Sequence, residues 1–355
     1  PPSGFVALNT YNLSTPTIPN GAVYMAASLF TGNSSVQTVN NAVNGTAFQP
    51  DWVWFKSRSG AYDHALLDSV RAGSPPLYLA SNLTQAEAST GGGETMTYNS
   101  NGFAINSNNQ RINVSGSTYV AWQWKANGTA VTNTSGTITS TVSANTTAGF
   151  SVVIWTGGGS AGTIGHGLGV TPGMIIVKNR SGTQFWFVNH ASISTTQNLY
   201  LNDTAAVQSD GIFTSRGATT FGVGTGVAGS ATNYVAYVFA AIAGYSAFGS
   251  YTGNGSTDGP FVFLGFRPRF IMFKRTDTTG DWQMYDSSRD TYNVTSNTLY
   301  ANGAFAEDSN TANRALDLLS NGFKLRASAS FLNASGGTYI YMAFAENPFK
   351  YSNAR

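Results

Sequence analysis

FQPDWVWFKSR (residues 48–58) places four apolar residues, three of them aromatic, between Asp51 and Lys56. Two further stretches share the plan: VTPGMIIVKNR (170–180) and FRPRFIMFKRT (266–276) each run proline, one residue, four apolar residues, lysine. The run is too short for a helix and apolar at both phases of a two-residue alternation. That pattern predicts a core strand covered on both faces. On this reading Trp52 and Trp54 are packing residues, and Lys56, Lys178 and Lys274 are strand ends reaching solvent.

Outward from these strands the chain repeats itself at a period of about 100 residues. LFTGNSS (29–35), IWTGGGS (154–160) and SYTGNGS (250–256) read as a strand stopped by a glycine turn. After the proline-led strand come HALLDSVR (64–71), a looser WFVNHASI (186–193) and WQMYDSSR (282–289). LYLASN (77–82), LYLNDT (199–204) and LYANGA (299–304) follow, then SNGFAI (100–105), a diverged TTFGVG (219–224) and SNGFKL (320–325). TYVAWQWKA (118–126), NYVAYVFAA (233–241) and TYIYMAFAE (338–346) close the repeats. By the period-two rule Tyr119, Ala121 and Gln123 share one face, and Val120, Trp122 and Trp124 the other.

The fold expected is therefore all-β, three tandem β-sandwich repeats with Gly/Asn/Ser/Thr-rich turns, arranged as beads in series. Residues 1–20 form an extended lead-in, 21–127 repeat one, 148–243 repeat two and 244–355 repeat three. Residues 128–147 read as a polar linker or an edge strand centred on Ile138 and Val142.

Composition narrows the functional classes. Formal charge is +2, charged residues make up 10% of the 355, and no Lys/Arg run occurs, so the electrostatic footprint of a nucleic-acid binder is missing. No apolar run reaches the roughly 20 residues of a membrane-spanning helix, and PPSGFVALNT lacks the parts of a signal peptide, reading as an excised fragment. Absence of cysteine removes disulfides, thiolate metal sites and a Cys nucleophile. N-x-[ST] sequons such as those at Asn33, Asn44, Asn82 and Asn254 follow from the abundance of Asn, Ser and Thr.

PPSGFVALNTYNL, FQPDWVWFKSRSGAYDHALLDSVR, YSAFGSYTGNGSTDGPFVFLGFRPRFIMFKR and GGTYIYMAFAENPFKYSNAR, in this order, resemble the C-terminal repeat region of tailed-bacteriophage tail-fibre or virion appendage proteins, a region that often follows a SPRY-like domain. The resemblance spans essentially the whole chain. It implies an extracellular virion part, a homotrimer in contact with other virion proteins, and recognition of a bacterial surface glycan or outer-membrane protein. It supplies no catalytic motif and no binding residues. Repeat two departs from the pattern, with His190 where its siblings have Asp68 and Asp286, and no arginine matching Arg71 or Arg289.

The three histidines, His64, His166 and His190, lie far apart and lack metal-ligand or catalytic spacing. No catalytic or metal-binding residue is assigned. No cofactor is expected; calcium held by the acidic loops is an open alternative, not indicated because no D-x-[DN]-x-[DN]-G loop occurs. Asp68 with Arg71 and Asp286 with Arg289 read as structural turn pairs, their recurrence favouring a role in the fold over a receptor contact. Asp277, Asp281, Asp286 and Asp290 form the densest acidic cluster, the place a polysaccharide depolymerase would be sought. Tyr62, Tyr98, Trp282 and Tyr292 flank turns and are the receptor-binding candidates, and the polar loops 82–97 and 301–314 suit binding. The expected function is non-enzymatic recognition of a bacterial surface by the distal part of a tail fibre. The alternatives are a non-binding capsid-decoration or head-fibre spacer and, less favoured, a depolymerase.

Overall fold

The computed structural model describes residues 9–352; the first part of the lead-in and the last three residues lie outside them. The chain is all-β, three sandwich-like units built on one plan. In repeat one the large antiparallel sheet runs in the order Met25–Thr31, Thr118–Trp124, Trp52–Ser57, Ala65–Asp68. Repeat three orders its strands likewise: Ser246–Thr252, Thr338–Pro348, Phe266–Arg275, Gln283–Asp286, then Asn297–Tyr300 and Asp308–Ser309. Repeat two adds two strands at its edge, Val131–Asn133 and Ser140–Asn145, ahead of Phe150–Thr156, Asn233–Phe239, Met174–Asn179, Phe187–His190 and Leu199–Tyr200. The segment 128–147 thus holds two strands of this sheet joined by turns, with Val142 opposite Val153.

One face of each large sheet is covered by a three-stranded sheet of its own repeat. Val36–Asn40, Thr95–Asn99 and Gly102–Asn106 do this in repeat one, Gly162–Gly165, Phe213–Arg216 and Thr220–Val223 in repeat two, and Phe261–Phe263, Leu316–Leu319 and Gly322–Leu325 in repeat three. Val53 and Phe55 pack there on Phe103 and Ile105, as do Ile175 and Val177 on Phe221 and Val223.

The opposite faces meet one another. Trp52, Trp54, Trp122 and Trp124 of repeat one lie in a single buried cluster with Met174, Ile176, Tyr237 and Phe239 of repeat two and Phe270, Met272 and Phe344 of repeat three. Strand register sets this up: Trp52 pairs with Trp124, Met174 with Phe239 and Phe270 with Phe344. Trp124, Phe239 and Phe344, at matching places in the closing strands, form a triangle with ring centroids 6.3, 5.7 and 5.7 Å apart. Trp52 stacks on Tyr237 at 4.1 Å.

The repeats therefore close a ring around a common aromatic core, and the arrangement as beads in series is corrected. The physical reason lies in the proline-led strands. Their second apolar face has no cover inside its own repeat, and only the siblings supply one.

Candidate functional site

The recurring Asp and Arg were the strongest polar signal in the sequence, and the ring uses them at its seams. Asp68 Oδ1 accepts from the backbone N–H of Val70 and Arg71 at 3.1 and 2.8 Å, the geometry of an Asx turn, while Arg71 Nε donates to Oδ2. Asp286 does the same with Ser288 and Arg289. Both pairs have fully buried side chains. Each also reaches the next repeat: Tyr237 Oη donates to Asp68 Oδ2 at 2.8 Å and Trp122 Nε1 to Asp286 Oδ2 at 3.0 Å.

This explains the departure in repeat two. Where Tyr237 and Trp122 stand in their closing strands, repeat three has Met342, which has no N–H or O–H to donate. His190 replaces the aspartate accordingly. Its Nδ1 accepts from Ser192 N at 3.1 Å, as a turn-capping carboxylate would, and Nε2 donates to Tyr341 O at 3.0 Å. Burial pushes His190 down to about 4, so the ring is neutral.

The loops 82–97 and 301–314, expected to be free for binding, are straps. Glu87 bridges Arg71 of its own repeat and Arg180 of the next, and Glu307 bridges Arg289 and Arg58. Lys56, Lys178 and Lys274 are fully buried, a correction to their reading as solvent-reaching strand ends. Alternation puts them on the same face as Trp54, Ile176 and Met272, which is the ring side. Lys178 Nζ donates to Thr84 O of repeat one at 2.9 Å and Lys274 Nζ to Thr204 O of repeat two at 3.1 Å. Burial pushes Lys56 down to about 7 and the other two to about 8.

Trp282 is buried, with Nε1 donating to Tyr200 O at 2.8 Å, so its reading as an exposed platform is corrected. Trp186 makes the matching bond to Ala80 O, and His64 Nε2 the one to Tyr300 O, while Trp54 Nε1 donates to His64 Nδ1 at 2.7 Å. Sequence position gave no warning for Trp282, because the repeat that covers it is distant in the chain. Tyr62 and Tyr98 are half-buried, Tyr98 against the sandwich core of repeat one, whereas Tyr292 is 73% exposed. The four candidates do not converge.

The acidic cluster is likewise spent on structure. Asp277 pairs with Arg275, Asp281 accepts from Asn302, and Asp290 accepts from the backbone of Ser296 and Asn297. His166, in its glycine-rich turn, accepts from Leu168 N. Among the described residues no group of three or more His, Cys, Asp or Glu is placed to hold a metal ion.

Beside the first junction lies an open polar cleft of about 630 Å³. Its lining includes Tyr24, Gln49, Lys125, Asn127, Asn145, Thr146 and Thr147. At its base Asp51 is 2% exposed, accepting from Ser69 Oγ at 2.9 Å and Ala126 N at 2.8 Å. Burial raises the Asp51 carboxyl, and its hydrogen bonds from Ser69, Gly128 and Ala126 pull the other way. Amides, hydroxyls, one ammonium and one phenol ring make this a surface for a polar, hydroxyl-rich ligand. Sequence reasoning missed it, although a signal existed: residues 125–149 separate two core strands at this junction, where residues 240–245 suffice at the next.

A family model described as a domain of unknown function (DUF7483) matches residues 20–348, and the chain belongs to that family. The match covers all three repeats as one unit. No curated protein and no solved structure is significantly similar to it.

Proposed function

We propose that this DUF7483 ring is a non-catalytic adhesion module of a phage virion appendage, extracellular, and that it holds a bacterial surface glycan. The observation that carries the reading is the open polar cleft lined by Tyr24, Lys125 and Asn145, mounted on a scaffold whose two buried Asp–Arg pairs are consumed in its seams. Rigid support of a polar recess with an aromatic wall is what saccharide binding asks of a protein. Asp51 is the one carboxylate lining the cleft, so its walls do not bring together the two carboxylates that glycoside hydrolysis employs. The likeness of the quoted motifs to tail-fibre repeats supports the virion setting.

The test is adsorption of the purified chain to susceptible bacteria, with competition against intact phage and a reducing-sugar assay on host polysaccharide. Adsorption and competition without sugar release are expected. Steady sugar release would overturn the non-catalytic claim.

A second reading, a spacer that contacts its neighbours in the particle, is favoured by one observation. Phe261 and Phe263 project from an edge strand of repeat three at 44% and 63% exposure, whereas the matching positions in repeat one are Thr38 and Asn40. Because the inner sheet faces close on one another within one chain, a homotrimer would be built on outer surfaces such as this. Phe261→Ser with Phe263→Ser would then lower the mass measured by light scattering, while a monomeric parent chain would sink the trimer.

A further inference from the structure

The quasi-threefold ring provides its own control for what the first junction does. Positions that match across the repeats must satisfy the same packing, so a residue found at one junction and dispensed with at the other two is not required by closure. Lys125 follows Trp124 in the closing strand; its counterparts after Phe239 and Phe344 are Ala240 and Ala345, both buried. Asp51 precedes Trp52; its counterparts are Gly173, which lies against the Phe248 ring, and the buried Arg269. Neither of the other two junctions carries the lysine and aspartate that line the first. The opening is framed by a segment the ring also does without elsewhere, residues 128–147, whose strand Ser140–Asn145 ends in the cleft wall.

The charges inside the cleft are asymmetric. Asp51 faces inward, with Ser69, Ala126 and Gly128 donating to its carboxylate. Lys125 is half-exposed; among the described residues its ammonium makes no hydrogen bond or salt bridge, and its charged neighbour is Asp51, whose carboxyl it pulls down. An ammonium without a hydrogen-bonded partner, beside amides and hydroxyls and a carboxylate already engaged by Ser69, Ala126 and Gly128, selects for a ligand that carries both hydroxyls and an anion.

Resting on the adhesion reading above, we propose that this cleft binds acidic saccharides, sugars bearing a carboxylate or phosphate substituent. The Lys125 ammonium pairs with the anionic group, Gln49, Asn127 and Thr146 exchange hydrogen bonds with hydroxyls, and Tyr24 supplies an apolar face for the sugar ring. Asp51 positions the strap by holding Ala126 and Gly128 and does not touch the ligand.

The experiment titrates the full chain with uronate-bearing, phosphorylated and neutral oligosaccharides of equal length, and repeats this for Lys125→Gln and Asn127→Ala. Acidic oligosaccharides should bind about ten-fold or more tightly than neutral ones, and Lys125→Gln should remove that preference, as expected for loss of a charge-assisted contact. The two acidic sets distinguish carboxylate from phosphate as the recognised group. Thermal unfolding should change little in either variant, since neither the Lys125 ammonium nor the Asn127 amide makes a side-chain hydrogen bond in the ring and the Lys125–Asp51 attraction acts across a solvated cleft.

Failure of every acidic oligosaccharide to bind, or binding indifferent to both substitutions, overturns the assignment. Adsorption to bacteria separates this from the broader reading. A chain that adsorbs equally with and without Lys125→Gln overturns the cleft and keeps adhesion. A chain that binds acidic saccharides through Lys125 but adsorbs to no cell keeps the cleft and overturns adhesion.

Discussion

Asp286 carries more than a turn. Its carboxylate caps two backbone N–H groups, neutralises Arg289 and accepts from Trp122 of another repeat, all without solvent. Asp286→Ala strands a buried guanidinium with Glu307 as its one remaining carboxylate partner, a change that costs about 3–5 kcal/mol where buried pairs have been broken. A plain turn cap would cost about 1 kcal/mol. Urea unfolding of the variant distinguishes the two, and a loss near the smaller value would remove the seam from the account. The buried histidines and lysines give a second test. In the unfolded chain His64 and His190 titrate near about 6.5, but the fold keeps them neutral down to about 3 and about 4. Between those limits the unfolded state takes up protons that the folded state refuses, so their stabilisation is complete above pH 6.5 and lost as pH falls, roughly 2 kcal/mol each at pH 5. The lysines, lowered to about 7 and about 8, act in the same direction: the folded state sheds protons first, so stability rises as pH climbs from there toward the unfolded value. Glu87 and Glu307, held below the usual carboxylate range by their arginines, lose their contribution as pH falls below about 4.5. Asp51, raised by burial, alone opposes the trend at low pH. Unfolding midpoints should therefore increase from pH 5 to pH 9, and a flat profile would contradict neutral buried histidines.

At the scale of elements, the Ser-Asn-Gly-Phe landmark is a steric requirement. A Cβ on Gly102 would lie 2.1 Å from Val39 O, and one on Gly322 2.0 Å from Val262 O, so the partner strand of each small sheet passes directly over the glycine. Gly322→Ala should cost more than about 1 kcal/mol and loosen amide protection in Phe261–Phe263, read by hydrogen exchange, whereas Gly116→Ala, with open space around it, costs its positive φ alone. Strands of this kind were legible because period-two patterning and turn residues are local properties. The alignment between repeats was less so. LYLASN was matched to LYLNDT by its leucine and tyrosine, yet Asn82, Asn202 and Asn302 make the equivalent bonds to His64, Trp186 and Trp282, so Leu79 rather than Leu77 matches Leu199. Chemical likeness of two residues misled where hydrogen bonding decides the register. The cleft was illegible for a related reason: it is made by a segment unlike its surroundings, and repeats draw the eye to what recurs.

At the scale of the molecule, the sequence carried the number of repeats but not their closure, because apolar residues on the second face of a strand do not say whose surface will cover them. Closure has a thermodynamic consequence. A lone repeat two, residues 148–243, would expose Met174, Ile176, Tyr237 and Phe239 together and lose the bonds from Lys178 to Thr84 and from Trp186 to Ala80. Three such large side chains and an isoleucine amount to several times the roughly 1.5–3 kcal/mol gained by burying each, which is comparable to the whole stability of an ordinary domain. The isolated repeat should be unfolded or aggregated, and the full chain should unfold in one transition. Trp54→Ala tests the coupling directly. Trp54 is buried on the ring side and donates to His64, which in turn donates to Tyr300 O of repeat three. Truncation should cost about 3–5 kcal/mol, and hydrogen exchange should show that loss as fully in Phe266–Arg275 of repeat three as in Trp52–Ser57 around the substitution. Beads on a string would confine it to repeat one and give a second, unshifted transition on heating; a shared core leaves the other repeats nothing to stay folded against.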